Sequence, residues 1–393
     1  MPLSRRTLIG LLPALPFVMP RPAAAGEAQG VSATEIVVGT HQDLSGPVAA
    51  LGTALRDGLV LAAEEINNGG GINHRKIRLV VEDSGFDPKK AVLATQKMLE
   101  SDHIFALIAP LGSATVAASM PLALDAGVPV LFSGTPADLT YKPYNKIKFG
   151  LAVPYGEQVR TEVKYAVEKL GKTRFGVLYQ DDETGQNVLR ATEEQLKVHA
   201  MALAAKASFK RGDVDFSSQI ARLKDAGVDV VILGTIIRET AAAMIEARKQ
   251  GWAVDMMVSQ AGMNNSVVKI GGDAVEGLYA MAQFLSLNAQ EETPAIADIL
   301  RRYREKFGKA PDDGMIYGYV AMMLFAEGAR KAGAELSAES LAHGLEQVKE
   351  FKTAFAGSPV SFSADNHLGS RATILTRVRG GKFLPLTGPL TDD

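Results

Sequence analysis

The chain has 393 residues, 47% hydrophobic and 22% charged, a balance that excludes a disordered or membrane-embedded polypeptide and supplies apolar material for roughly two to three domains. Lys plus Arg number 42 against 44 Asp plus Glu, so no net field draws the chain to nucleic acid or anionic lipid. Cysteine is absent, so the fold stands on its core without disulfides.

The first 25 residues are a different material. Ser4-Arg5-Arg6-Thr7 gives a basic start, Leu8 to Met19 an apolar run, and Ala23-Ala24-Ala25 a small-residue cleavage site. The pattern predicts an export signal over 1–25, removed in the mature chain. Pro13, Pro16 and Pro20 argue against a membrane anchor, which needs about 20 apolar residues, and against a buried helix. "SRRTLIG" resembles a twin-arginine signal, although ordinary secretory signals also carry Arg pairs. With no Cys to accept a lipid, a freely soluble periplasmic protein is expected, without a lipid anchor.

Behind this segment the sequence alternates between two periods. Ile36-Val37-Val38 reads as a strand, and Thr53 to Asn67 as a helix with Leu55, Leu59, Ala62 and Ile66 on one face. "NNGGGI" at 67–72 stops that helix with glycines able to take positive φ. A strand over Ile77 to Val81 and a helix opening at "DPKKA", with Pro88 near its start, come next. A strand over Ile104 to Ala109, a helix over Ser113 to Ala126 and a strand over Val128 to Ser133 complete the run. Such alternation predicts a mostly parallel sheet with helices on both faces.

The pattern then restarts. Strands are expected over Phe175 to Tyr179, Met201 to Ser208, Val228 to Leu233, Met256 to Ser259 and Leu278 to Ala280. Helices are expected over Gly185 to His199, Ser217 to Ala226 and Glu239 to Gln250. Helical patterns at 294–307, 315–332 and 337–348 precede a β-rich tail from 359 that includes Ala372 to Val378. The fold class is therefore α/β, with two lobes of similar construction and no residue-level repeat between them.

In open parallel sheets, ligands gather where strands end and helix N-termini converge. Two loops are of this kind. "PLGSAT" (110–115) follows one strand, with Gly112 allowing close backbone approach and Ser113 offering a hydroxyl and a free amide at a helix start. "SGT" (133–135) follows the next, bringing Ser133, Gly134 and Thr135. Together they form a candidate carboxylate cradle. Each residue has a plainer reading: Ser113 as a helix N-cap and Thr135-Pro136 as a turn.

The stretch "HQDLSGPVAALGTALRDGLVLAAEEINNGGGINHRKIRLVVEDSGFDPKKAV" resembles the opening of the branched-chain amino acid binding proteins of ABC transporters, the type I periplasmic binding proteins. "IAPLGSAT", "GVPVLFSGTPADLT", "VLYQDDETGQNVL", "DFSSQIARLKDAGVDVVILGT" and "EARKQGW" keep the family's order across essentially the whole mature chain. The resemblance implies two Rossmann-like lobes joined by a three-crossover hinge, closing on one small molecule in the cleft between them. Lobe one would take 34–150 plus 284–356, and lobe two 151–283 plus 357–393. It further implies permease subunits in the inner membrane as partners, a monomer, and no cofactor. By the same resemblance Ser113 matches a serine that holds the ligand carboxylate, and Ser133 and Thr135 match positions that contact the head group through backbone and hydroxyl.

The departures bear on the ligand. Positions often aromatic in the family are Leu51 and Thr184 here, and the acid that pairs with the ligand ammonium is replaced by Gln260. A buried ammonium deprived of its carboxylate loses about 3–5 kcal/mol. The expected ligand is thus a carboxylate or amide that need not carry an α-ammonium, unless Asp43, Asp181 or Asp182 supplies the acid. Arg238 is a candidate for a second ligand acid, or simply a solvated helix-start residue. Tyr155 is a candidate cleft residue, or a packing residue near the hinge.

Enzyme readings fare worse. The sequence has no H-E-x-x-H, no G-x-S-x-G and no phosphate-binding P-loop, and its six histidines lack metal-ligand spacing. A hydrolase using Ser113 and a soluble sensor docking on a membrane receptor are the alternatives.

Overall fold

A computed structural model describes residues 28–392. The assigned export signal lies outside the described residues. Chain order begins β1 (Glu35–Gln42), α1 (Ala49–Asn68), β2 (Lys76–Asp83), α2 (Pro88–Glu100), β3 (Ala106–Ile108), α3 (Ser113–Asp125), β4 (Val130–Leu131) and β5 (Lys148–Phe149). These strands form one parallel sheet ordered β2-β1-β3-β4-β5. The chain continues through α4 (Tyr155–Glu168), β6 (Phe175–Gln180), α5 (Glu183–Val198), β7 (Ala205–Phe209), α6 (Ser217–Asp225), β8 (Val230–Gly234), α7 (Ile237–Lys249), β9 (Asp255–Val258), α8 (Asn265–Gly271) and β10 (Tyr279–Ala282). Helices α9 (Pro294–Phe307), α10 (Gly314–Ala332) and α11 (Ala338–Glu346) follow, with α10 packed on α1. Strands β11 (Thr373–Arg379) and β12 (Lys382–Leu390) close a second sheet ordered β12-β11-β10-β9-β8-β6-β7.

Local chemistry explains these elements. Ile36 and Val38 of β1 are fully buried, as expected for a parallel strand covered on both faces. The Asp87 carboxylate accepts from the Lys89 and Lys90 amides at 2.8 and 3.1 Å, and Pro88 occupies the first helical position, so α2 starts there. The strand expected over Val128 to Ser133 pairs only at Val130–Leu131, because Phe132 takes φ 57° and turns the chain. Ala109 does the same at the end of β3, with φ 49°. Helix α1 begins four residues before its expected start at Thr53, which places Leu51 on its first turn.

Helices α4 and α8 are absent from the sequence reading. In α4, Val159, Val163 and Ala166 supply a narrow buried stripe among Glu157, Gln158 and Glu162, which are buried as well. The Glu162 carboxyl is fully buried with neither oxygen hydrogen-bonded, and that burial pushes its pKa well above the ordinary glutamate value.

Where the chain passes between the sheets, the connecting segments are tied to one another. Gly150 bridges Leu368 and Phe284 bridges Gly357. The Gln283 side chain donates to the Leu151 carbonyl at 2.7 Å, joining two of the segments.

Two glycines set how closely α1 and α10 approach. A Cβ on Gly318 would lie 2.0 Å from the Leu55 carbonyl oxygen, and one on Gly58 would lie 2.1 Å from that of Met315. Gly318→Ala should therefore force the helices apart and cost about 2 kcal/mol or more. Gly69→Ala, whose nearest neighbour would be 3.4 Å away, should stay within about 0.5 kcal/mol of the wild type in urea denaturation. Glu162 gives a pH prediction. The folded chain keeps a proton that the unfolded chain releases above the ordinary glutamate pKa, so stability falls as pH rises from there until the folded-state pKa is passed. Relative to Glu162→Gln, the wild type should lose stability as pH rises above the ordinary glutamate range. Parallel stability profiles for the two proteins would show that Glu162 is ionised in the fold.

Candidate ligand-binding site

The carboxyl ends of the strands in both sheets face one cavity of about 150 Å³. The first sheet contributes the loop after β3 (Leu111, Gly112, Ser113) and the loop after β4 (Gly134, Thr135). Across from them stand Thr184 after β6, Ile236 after β8, Gln260 after β9 and Gln283 after β10. The first turns of α1 and α10 close the remaining side with Leu51 and Asp313.

One end of the cavity is a cluster of hydroxyls. The Ser113 and Thr135 hydroxyls are 2.6 Å apart, and the Thr184 hydroxyl donates to Ser113 Oγ at 3.0 Å. That second bond joins the loop after β3 of the first sheet to the start of α5, which follows β6 of the second. Tyr155 lies fully buried against the same group; burial pushes its phenol up to about 12, while the hydroxyls of Ser113, Thr184 and Thr135 act in the opposite direction. Ser113 is not the N-cap: Gly112 holds that position with φ 97°, where a Cβ would meet the Phe86 ring at 2.5 Å. The Ser113 hydroxyl is thereby left for the cavity, next to the first amides of α3, which have no partner within their helix. Thr135 also has the turn role expected of it, since its Oγ1 accepts from the Ala137 amide at 3.2 Å.

A family model described as periplasmic binding protein matches residues 35–382. The chain belongs to the periplasmic binding protein family. A curated relative, the leucine-, isoleucine-, valine-, threonine- and alanine-binding protein of Pseudomonas aeruginosa, is 26% identical over 325 residues, covering 82% of this chain and 85% of the relative. A substrate-binding periplasmic protein from Ralstonia solanacearum superposes with a TM-score of 0.80 at 26% identity, covering 89% of this chain and 99% of that one. The branched-chain amino acid transporter substrate-binding protein of Streptococcus pneumoniae, solved with isoleucine, has the same fold at a TM-score of 0.78 and 24% identity, covering 91% and 100%.

Within this periplasmic binding protein, Gly112, Ser113, Gly134, Thr135, Leu51, Tyr155, Thr184 and Gln260 all line the cavity. Ser133 and Arg238 do not. Ser133 is buried behind the wall, where its carbonyl accepts from the Tyr317 hydroxyl at 2.8 Å and from the Thr135 amide at 2.7 Å. Arg238 turns outward from the start of α7, half exposed and 3.6 Å from Glu239, because Ile236 and Ile237 take the inward positions.

The three acids considered as replacements at position 260 are already engaged and do not line the cavity. Asp43 accepts from the Gly46 and Val48 amides at 2.5 and 2.7 Å. Asp182 caps α5 and pairs with Arg211 at 2.9 Å. Asp181 accepts from the Gln186 side chain. The charged side chain that does line the cavity, alone among the described residues, is Asp313. Its Oδ1 accepts from the Leu287 amide at 2.8 Å, its Oδ2 is buried without a hydrogen bond, and desolvation pushes its pKa up to about 6 against the pull of that amide. Oε1 of Gln260 and Oε1 of Gln283 are likewise buried without partners. Sequence reasoning missed Asp313, which stands at a helix start, and Gln283, which follows β10 but lacks the glycine and hydroxyl that mark the other two loops. The available signal was "PDDG" before a helical pattern, an acid at a helix start.

Proposed function

We propose that this chain is the solute-binding component of a periplasmic ABC importer, capturing a small carboxylate-bearing molecule by lobe closure and delivering it to permease subunits in the inner membrane. The ligand is an amino acid or a related acid or amide. The observation that carries this reading is the hydroxyl cluster of Ser113, Thr135 and Thr184, drawn from both sides of the cleft at one end of a cavity that also has an apolar lining. A carboxylate entering there exchanges neutral hydroxyl contacts for charge-assisted ones, which are roughly twice as strong. Leu51, Leu55, Ile236, Ile237 and Ile316 then surround an aliphatic body.

The relatives support the same job, since the Pseudomonas protein is named for five amino acids and the Streptococcus protein holds isoleucine. Lobe one would comprise 34–150 plus 284–356 and lobe two 151–283 plus 357–393, so that the hinge lies where the crossing segments bridge each other. A binding role also suits Ser113 better than hydrolysis does. Its hydroxyl meets those of Thr135 and Thr184, whereas the buried His41 bonds Ser119 at 2.9 Å.

The test is a thermal-shift panel of aliphatic amino acids, their deaminated acids and small amides, on protein unfolded and refolded to strip carried-over ligand. A ligand at 100 times its dissociation constant stabilises the native state by about 2.7 kcal/mol, a shift of several degrees in a protein of this size. Ser113→Ala and Thr135→Ala should each weaken that ligand by about 1.5–3 kcal/mol. Unchanged affinity in both variants would remove the cradle.

A further inference from the structure

We propose that the cleft is built for an elongated ligand with a carboxylate at one end and an N–H-bearing group, an ammonium or an amide, at the other, the latter seated on Asp313. The inference rests on the solute-binding reading above and deepens it by naming the ligand class.

Hydrogen bonds fix two separate poles. At one, Ser113 meets Thr184, which follows β6. At the other, Asp313 meets the Leu287 amide beyond β10, and the neighbouring Asp312 accepts from Asn264 at 3.0 Å. In the second sheet β6 and β10 are separated by β8 and β9. Three spacings between neighbouring strands separate β6 from β10 by roughly 14 Å. Ser113 and Asp313 nonetheless line the same cavity, as do Leu51 and Ile236.

The second pole wants a donor. Asp313 is 9% exposed; the Ser286 hydroxyl lies near enough to pull on its carboxylate, yet Oδ2 makes no hydrogen bond. Lys269 on α8 reaches it electrostatically but makes no ion pair with it, and is itself exposed. Gln283, 3% exposed, lines the same cavity, spends its amide N–H on Leu151 and has a buried Oε1 without a partner. Buried acceptors left without donors are costly, and the cost disappears when a ligand supplies the N–H groups. A second carboxylate would meet only repulsion there.

Geometry then separates ligand classes. An α-amino acid carries its ammonium one carbon from its carboxylate, so with the carboxylate among the hydroxyls the ammonium falls short of Asp313. An ω-amino or ω-amido acid spans the apolar middle and reaches both poles.

The deciding experiment is isothermal titration of the stripped protein with a straight-chain ω-amino acid series, the matching ω-amides, the matching unsubstituted monocarboxylates, and leucine. One member of the ω-amino or ω-amido series should bind at least about tenfold tighter than leucine and than the monocarboxylate of equal length. Asp313→Asn, which keeps an acceptor for the Leu287 amide, should erase the advantage of the ammonium member and leave the monocarboxylate unchanged. If leucine or a monocarboxylate binds more tightly than every member of the two series, with a loss in Ser113→Ala and none in Asp313→Asn, the inference is overturned while the solute-binding reading stands. If none of these compounds binds the wild type, both fail. The wild-type series decides the matter even if Asp313→Asn does not fold.

Discussion

The near-contact of α1 with α10 is the constraint on which the cleft depends. With Gly58 and Gly318 at the crossing, each helix backbone reaches the other's carbonyls at distances that a single methyl group would block. The two helices are therefore one rigid unit, and their first turns arrive at the cavity in fixed relation. Leu51 comes from one and Asp313 from the other, while Tyr317, one turn further along α10, hydrogen-bonds the carbonyls of Phe132 and Ser133. A packing decision made far from the ligand thus determines which side chains form the wall opposite the strand ends.

That wall was the least legible part of the protein. The alternation of strands and helices, the parallel sheets and the hydroxyl-bearing loops after β3 and β4 all follow from local periodicity and turn chemistry, and the sequence displays both. The family resemblance carried Leu51, Thr184 and Gln260 to the cleft, and the place of Tyr155 after Pro154 pointed there as well. What local reasoning could not supply was direction. Ser133 and Arg238 have suitable chemistry but face away from the cavity, Ser133 because Phe132 turns the chain through a left-handed conformation and Arg238 because two isoleucines take the inward turn of α7. Asp313 and Gln283 were invisible for a related reason. Each matters through an unpartnered oxygen, and whether a polar atom has a partner is a property of the assembled fold.

The electrostatics of the cleft are spare. Among the described residues the cavity lining has a single ionisable carboxylate and no cation, so the proposed anionic head group would be held by oriented hydroxyls and helix-start amides rather than by a countercharge. Such fixed dipoles discriminate strongly in an environment that excludes water. They also leave the apolar stretch between the poles to select for length and girth, which dispersion and desolvation do well in small steps.

The bond between Thr184 and Ser113 has one more consequence. It spans the cleft at the hydroxyl end, so a group that enters there must displace it, and the bond would serve as a latch. Only a group that repays the displaced contact with a stronger one gains from entering, which turns the latch into a filter on formal charge. A neutral molecule of the right shape competes with the protein's own hydroxyls and gains little, while a carboxylate outcompetes them. Selectivity for ions would then arise before the rest of the cavity has been sampled.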